Sequence, residues 1–201
     1  MTSRILFVCA QNVCRSAYLA AVVGLDLDRT GAGYDVVSRG AHADPGLAMC
    51  SVAMARLPEL AAARGEAHRS RILKRGDVDR AGLILTATGA ERSAVALLDP
   101  AARRRSFTVR EFIHLAAVDG GAGLEGGRGL AELVALSNGR RGAPIPPAAA
   151  TRGIFGRRRT AASPLDIPDL HRERRAAHRA LFAELDADAA ALLRLLAPPA
   201  G

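Results

Sequence analysis

A chain of 201 residues, of which 49% are hydrophobic, is long enough to bury one substantial core, so we expect a single domain that covers residues 1–201. No stretch approaches the roughly 18 uninterrupted apolar residues of a membrane-spanning helix, so no membrane span is expected. The formal net charge is +8, but the arginines that carry it are scattered and no aromatic stacking platform accompanies them, so nucleic acid is not an expected partner.

Four apolar runs and four helical patterns alternate along the chain. The predicted strands cover residues 5–8, 35–38, 83–86 and 106–109. The predicted helices cover residues 15–23, 46–64, 91–98 and 171–195. The fold class that follows is α/β, a four-stranded parallel sheet with helices on both faces, and such sheets bind ligands at the carboxyl ends of their strands.

Residues 119–163 interrupt this alternation, because the segment is rich in Gly, Ala, Pro and Arg. Such a composition favours a long, mobile connection between the fourth strand and the last helix. One short helix is possible within it, at residues 129–137.

The segment from Cys9 to Ser16 directly follows the first predicted strand and has the spacing C-x5-R-S. Phosphate chemistry needs both ends of this pattern, a thiolate at Cys9 to attack phosphorus and the guanidinium of Arg15 to hold two phosphate oxygens. The residues between them can curl their backbone N–H groups around one anion. The predicted phosphate-binding residues are Ala10, Gln11, Asn12, Val13, Cys14 and Arg15.

The predicted helix at residues 15–23 begins where this loop ends, so its positive end and the loop amides face the same anion. Both favour a bound phosphate, and both favour a thiolate at Cys9. Asn12 suits a tight loop because asparagine tolerates left-handed backbone geometry. The alternative makes Cys9 a small buried hydrophobic residue and Arg15 an ordinary solvated one, but the position at a strand-to-helix turn favours catalysis.

Residues 4–16, Arg-Ile-Leu-Phe-Val-Cys-Ala-Gln-Asn-Val-Cys-Arg-Ser, resemble the N-terminus of the low-molecular-weight protein tyrosine phosphatases, in which an apolar strand precedes C-x-G-N-x-C-R-S-P. Weaker similarities follow in chain order. Residues 37–41 resemble the second strand and its S-x-G turn, and residues 68–71 resemble an H-x-x-R segment. Residues 82–86 and 106–112 are similar to later family segments. The resemblance implies a cysteine-dependent protein tyrosine phosphatase acting on phosphorylated proteins or small aryl phosphates.

The family uses an aspartate in a late D-P loop as its general acid, and the resemblance gives that role to Asp169, with Asp166 as the second choice. Without the upstream loop, Asp169 would be interpreted as a helix-capping residue. With it, the resemblance implies two steps. Cys9 attacks phosphorus while Asp169 protonates the leaving oxygen and Arg15 stabilises the transition state, and water then hydrolyses the phosphocysteine.

The resemblance also implies supporting roles for residues around the loop. His68 would hydrogen-bond Asn12, which would brace Ser16 and fix the loop. Cys14 would form a reversible disulfide with Cys9 on oxidation, which would protect the nucleophile. The alternative for Cys14 is that it is a small packing residue.

Three residues depart from the family pattern. Gln11 stands where the family has glycine, Ala17 where it has proline, and Leu170 where proline follows the acid. Gln11 must therefore adopt the backbone angles of a glycine or distort the loop. With no Trp and two Tyr, the chain offers little aromatic surface to phosphotyrosine, so the sequence indicates phosphatase chemistry more strongly than tyrosine specificity.

The use of cysteine and histidine indicates the compartment and the cofactors. Three cysteines do not build a disulfide framework, so we expect a reducing compartment, the cytoplasm. Cys50 is interpreted as a core residue. The five histidines show no ligand spacing with cysteines or carboxylates, so no metal and no other cofactor are expected.

Two other functions remain open. An arsenate reductase of the same fold uses the same loop, but such relatives resolve their intermediate with a further pair of cysteines, which Cys50 alone does not supply. A non-catalytic module that binds phosphate or phosphoproteins is suggested by Gln11 and Leu170.

Overall fold

The computed structural model describes residues 3–118, 129–145, 163–170 and 175–197. Its four strands are β1 (Ser3–Cys9), β2 (Tyr34–Gly40), β3 (Ala81–Thr86) and β4 (Ser106–Thr108). They form one parallel sheet in the order β2-β1-β3-β4. Because β1 is a central strand, the residues that follow it lie between the carboxyl ends of β2 and β3, where parallel sheets bind ligands.

Eight α-helices and two 3-10 helices accompany the sheet in the described residues. The α-helices are α1 (Arg15–Arg29), α2 (Ser51–Arg56), α3 (Ala62–Ala67), α4 (Arg75–Arg80), α5 (Gly89–Leu98), α6 (Val109–Ala117), α7 (Leu130–Gly139) and α8 (Arg175–Leu196). The 3-10 helices are Glu59–Ala61 and Pro100–Arg105. None of the helices in the described residues is long and apolar enough to cross a membrane.

Alternate residues of the central strands lie on opposite faces of the sheet and enter two separate cores. On one face they pack against α1, α6, α7 and α8, and the strand residues of that core are Ile5, Phe7, Leu83, Leu85 and Phe107. On the other face they pack against α4 and α5, and the strand residues there are Leu6, Val8 and Ile84. Helices therefore cover both faces, so the predicted fold class is confirmed.

The predicted strands at residues 5–8, 35–38 and 83–86 lie within β1, β2 and β3, whereas the fourth ends one residue early. Thr108 is the N-cap of α6, and its hydroxyl accepts a hydrogen bond from the Glu111 amide, so Val109 already belongs to the helix. The predictions contained neither α4 nor α6.

The predicted helix over residues 46–64 is wrong. Gly46 has a φ of 89°, which no α-helix accepts, and α2 begins only after Cys50. Leu57 precedes Pro58 and has the extended angles φ −58°, ψ 138°, because a proline ring disfavours helical geometry in the preceding residue. The segment therefore splits into α2, a 3-10 helix and α3.

The predicted mobile connection at residues 119–163 is described only in part. Residues 129–145 contain α7, whose Leu130 and Leu133 are buried in the core, so this portion is packed structure. Residues 119–128 and 146–162, and the beginning of the helix predicted at residue 171, lie outside the described residues. From Arg175 onward the last helix is present as α8.

Candidate active site

The phosphate loop, defined as residues 9–16, joins β1 to α1 with its carbonyl groups turned outward. Four loop carbonyls accept hydrogen bonds from residues outside the loop, at 2.6–2.9 Å: Cys9 from the Ala41 amide, Ala10 from the His42 amide, Asn12 from His68 Nε2, and Val13 from the Cys50 amide. In a trans peptide the next N–H points the opposite way. The amides of Ala10, Gln11, Val13 and Cys14 therefore face the inside of the loop, as an anion cradle requires.

Asn12 is the hydrogen-bonding centre of this loop and is fully buried. Its Nδ2 donates to Ser16 Oγ at 3.1 Å and to Ser38 Oγ at 2.9 Å, while its Oδ1 accepts from the Arg71 amide at 2.9 Å. These bonds tie the loop to α1, to β2 and to the segment before α4. An asparagine so fully partnered holds one loop conformation, because any other would leave buried polar groups unsatisfied.

The strain expected at Gln11 is absent. Asn12, with a φ of 56°, is the one non-glycine residue with positive φ in the part of the chain that the structure describes. Gln11 thus has ordinary backbone angles, and the left-handed position falls on the residue type that tolerates it. Glycine is required instead at Gly40, where an added Cβ would lie 2.7 Å from the Ala10 carbonyl oxygen and 2.9 Å from the Asn12 nitrogen.

Cys9 lies at the base of the loop, and polar hydrogens surround its sulfur. Ser16 Oγ is 3.0 Å from Cys9 Sγ, and the Asn12 amide donates to the same sulfur at 3.3 Å. The side chain of Cys9 is 2% exposed. Hydrogen bonds of this kind stabilise a thiolate relative to a thiol, and the loop amides and the start of α1 act in the same direction.

Arg15 extends from the first residue of α1 to the acid loop, defined as residues 163–170. Its Nη1 donates to the Ile167 carbonyl at 3.0 Å, and its Nη2 forms an ion pair with Asp169 Oδ2 at 2.6 Å. The side chain of Arg15 is 3% exposed and that of Asp169 is 48% exposed. The structure therefore places Asp169 beside the predicted phosphate site, where a bound phosphate would compete with it for the guanidinium.

Asp166 has a different environment from Asp169. Its Oδ1 accepts a hydrogen bond from the Gly89 amide at 2.9 Å, at the beginning of α5. Neighbouring contacts hold the same loop, because the Ile167 amide donates to Ala87 and the Thr108 hydroxyl donates to Leu165, at 2.8 and 2.7 Å. Asp166 thus anchors the acid loop to the sheet and leaves Asp169 directed at Arg15.

His68 supports the loop from outside. Its Nε2 donates to the Asn12 carbonyl at 2.6 Å. Burial is the main cause that lowers the pKa of His68, and the charges of Arg69 and Arg71 lower it further, while the hydrogen bond to Asn12 opposes them. At neutral pH the ring is therefore uncharged and carries its proton on Nε2, as this hydrogen bond requires.

A cavity of about 630 Å³ opens above the loop. It is lined by Cys9, Ala10, Gln11, Val13, Cys14, Arg15, Asp44, Leu47 and Asp169. No aromatic residue is among these described lining residues. Two carboxylates, Asp44 and Asp169, flank the anion cradle, and Asp44 is a site residue that the sequence analysis did not identify.

Sequence reasoning also missed a cluster beneath the loop. Cys14 Sγ lies 2.7 Å from Cys50 Sγ, and His178 Nε2 lies 3.6 and 3.9 Å from those two sulfurs. The hydrogen bond with Cys50, together with burial, raises the pKa of the Cys14 thiol. Residues 36 and 164 positions apart meet here, so ligand spacing along the sequence could not reveal the cluster. Cys50 is half-buried and has Cys14 as a neighbour, so the argument that Cys50 stands alone is wrong.

The class of protein follows from this fold and loop: a cysteine-based phosphatase with its nucleophile after the first strand of a parallel sheet. Comparison with known proteins agrees. A sequence model of the family described as low molecular weight phosphotyrosine protein phosphatase matches residues 4–120. The chain belongs to this family and is a protein phosphatase.

One characterised relative and two solved structures give the nearest reported similarities. A protein-arginine-phosphatase from Geobacillus stearothermophilus is 33% identical over 113 residues, which are 56% of this chain and 73% of the relative. The structure of YwlE arginine phosphatase from the same organism has a TM-score of 0.61 at 24% identity, covering 96% of this chain and 91% of that one. A low molecular weight protein tyrosine phosphatase from T. tengcongensis has a TM-score of 0.64 at 20% identity, with 96% and 99% covered.

Proposed function

We propose that this chain removes phosphate from phosphorylated protein side chains through a phosphocysteine formed at Cys9. One observation carries the proposal: Cys9, Arg15 and Asp169 line the same cavity, above a loop whose amides face inward. A nucleophile, a cation for the developing charge and a proton donor are the three groups that the reaction needs.

In the first step Cys9 Sγ attacks phosphorus and the bond between phosphorus and the leaving group breaks. Asp169 gives its proton to the departing atom. Arg15 and the loop amides hold the equatorial oxygens, on which negative charge builds. Because Arg15 contacts Asp169 at 2.6 Å, phosphate binding would draw the guanidinium toward the loop and release the carboxyl group for proton transfer.

In the second step Asp169 takes a proton from water, and the water oxygen attacks the phosphocysteine. The sulfur–phosphorus bond breaks, inorganic phosphate is released and the Cys9 thiolate is restored. Ser16 and the Asn12 amide contact that sulfur, so they would stabilise it as the leaving group. Asn12 and His68 are positioning residues, because they act through the loop.

Phosphotyrosine is the first candidate substrate, since the family model carries that description. Phosphoarginine is the second, and a specific observation favours it: Asp44 and Asp169 flank the cradle, while the described lining contains no aromatic residue. Carboxylates attract the positively charged guanidinium that carries phosphate in phosphoarginine, whereas an aromatic wall would favour a phenyl ring. The relative from Geobacillus stearothermophilus bears the name of that activity.

Hydrolysis of an aryl phosphate tests the chemistry. Wild type should turn over, Cys9→Ser should not, and Asp169→Asn should lose roughly 10²–10⁴-fold, the contribution of a general acid. Asp166→Asn is the matched control, because an amide oxygen can still accept the Gly89 hydrogen bond. Loss of activity in Asp166→Asn with retention in Asp169→Asn would reverse the assignment of the acid.

A matched pair of peptides tests the substrate, one carrying phosphotyrosine and the other phosphoarginine at the same position. If the acidic wall selects a guanidinium, Asp44→Asn should lower kcat/KM for the phosphoarginine peptide and leave that for phosphotyrosine unchanged. Preference of the wild type for phosphotyrosine, with Asp44→Asn neutral on both, would reject phosphoarginine. Thiol-dependent reduction of arsenate without phosphatase turnover would instead indicate the arsenate reductase.

A further inference from the structure

We propose that Cys14, Cys50 and His178 form a Zn²⁺ site that joins the phosphate loop to α2 and α8. The three residues come from separate elements: Cys14 ends the loop, Cys50 is the N-cap of α2, and His178 lies in the first turn of α8. Their ligand atoms all lie within 4.8 Å of one another. This cluster is separate from the phosphate chemistry proposed above, which uses none of the three side chains.

The distances fit a tetrahedral zinc ion except for one that must widen. With Zn–S near 2.3 Å and Zn–N near 2.0 Å, tetrahedral angles put sulfur and nitrogen about 3.6 Å apart and two sulfurs about 3.8 Å apart. The sulfur–nitrogen distances are 3.6 and 3.9 Å. The sulfurs are 2.7 Å apart and would need to separate by roughly 1 Å. Cys50 is half-buried at a helix end, so its side chain has room to move.

The donor set selects the ion. Two thiolates and one imidazole suit Zn²⁺ and bind Mg²⁺ or Ca²⁺ poorly, because those ions prefer oxygen ligands. Zinc sites with three protein ligands leave a fourth position for water. Binding replaces the two thiol protons, which pass to the buffer, and transfers no electrons.

The surroundings would support the ligands. The Ala53 amide donates to Cys50 Sγ at 3.4 Å, and amide hydrogen bonds of this kind stabilise a metal-bound thiolate. The ring of Phe182 lies 5.4 Å from the His178 ring, which fixes the imidazole against an apolar neighbour. Cys14 and His178 are each 5% exposed, so a bound ion would be largely shielded from water.

Metal titration of the full-length, reduced and metal-stripped protein tests the site. Co²⁺, which takes the place of Zn²⁺ with visible absorption, should bind one to one and give a thiolate charge-transfer band, and Zn²⁺ should displace it. Cys50→Ser and His178→Gln should each weaken Zn²⁺ binding by more than about 100-fold, because even outer-shell changes cost 10–100-fold. Zn²⁺ should also raise the Tm of the wild type and of neither variant.

Matched controls separate this cluster from other thiols and imidazoles. Cys9→Ser removes a cysteine outside the cluster, and His42→Gln removes an exposed histidine, so both should retain wild-type metal affinity. Circular dichroism establishes that each variant is folded. If His178→Gln fails to fold, Cys50→Ser decides, because that residue is half-buried. The proposal is overturned if no charge-transfer band forms, if Cys50→Ser binds zinc like the wild type, or if reduction yields only a Cys14–Cys50 disulfide that takes up no metal on renewed reduction.

Discussion

The phosphate loop and the acid loop face each other across one cavity but are held in different ways. The phosphate loop is buried, and four of its carbonyls and the whole amide of Asn12 have partners. The acid loop is anchored through Asp166, Ile167 and Leu165, while its reactive carboxylate on Asp169 is half exposed. The difference indicates a rigid cradle for the anion and an acid that can change partner between Arg15 and the substrate.

The largest effect is expected where the two loops meet, at Arg15. Arg15→Lys keeps the charge but loses the planar fork that can hold two phosphate oxygens, so kcat/KM should fall by about 10²–10³-fold. Arg39→Lys is the control, because Arg39 pairs with Asp77 at 2.9 Å outside the cavity. Steady-state kinetics on an aryl phosphate measures both, and equal losses would contradict a specific role for Arg15.

The cradle itself should be broken by Gly40→Ala. The new Cβ would meet the Ala10 carbonyl oxygen and the Asn12 nitrogen at less than van der Waals distance, at 2.7 and 2.9 Å. The loop must move, and a misplacement of about 1 Å costs roughly 10²-fold in rate. Gly89→Ala is the matched control, because a Cβ there has no heavy atom within 4 Å. Vanadate affinity should fall only in Gly40→Ala, and unchanged binding there would mean that the cradle is adaptable.

The acid loop should respond to Ile167→Ala without loss of the cradle. Ile167 is fully buried, so truncation should lower the free energy of unfolding by about 2–5 kcal/mol. Poorer placement of Asp169 should lower kcat by roughly tenfold, part of what a general acid supplies, while vanadate affinity stays near that of the wild type.

Leu192→Ala is the control for Ile167→Ala. Leu192 is equally buried but lies in α8, so the variant should lose similar stability and keep its kcat. A comparable decrease of kcat in both variants would show that general destabilisation, and not the acid loop, limits the rate.

The smallest effect concerns pH and His68. The pKa of His68 is lowered from 6.5 in the folded protein, so the unfolded chain takes up the proton first as the pH decreases. This contribution to stability is complete above about pH 6.5 and is lost as the pH falls through the folded-state pKa. Urea unfolding should therefore show weaker pH dependence on the acid side in His68→Gln than in the wild type. His42→Gln should behave like the wild type, and equal pH dependence of all three would reject the assignment.

The sequence allowed the phosphate loop to be predicted because its parts are neighbours in the chain. An apolar strand, a cysteine and an arginine six residues later are enough to define a strand, an anion loop and a helix. The exception was Gln11, because no pattern could assign the left-handed angle to Asn12 instead.

The remaining features depend on contacts between distant residues. Pro58 broke a helix whose hydrophobic pattern ran through it, and Asp44 and Cys50 reached the site only through the fold. The two aspartates of the acid loop have similar sequence surroundings, and only the Gly89 and Arg15 contacts distinguish them. Such information lies in the packing of the sheet rather than in local periodicity.

Trapping the phosphorylated enzyme tests the central claim most directly. Asp169→Asn is mixed with an excess of an aryl phosphate whose phenol leaves without much acid assistance, and the reaction is quenched in acid within milliseconds. Because Asp169 also activates water, the intermediate should accumulate, and mass spectrometry should find one phosphoryl group on the peptide that contains Cys9. The absence of that adduct, or its appearance on any other residue of a variant that still releases the phenol, would contradict the account.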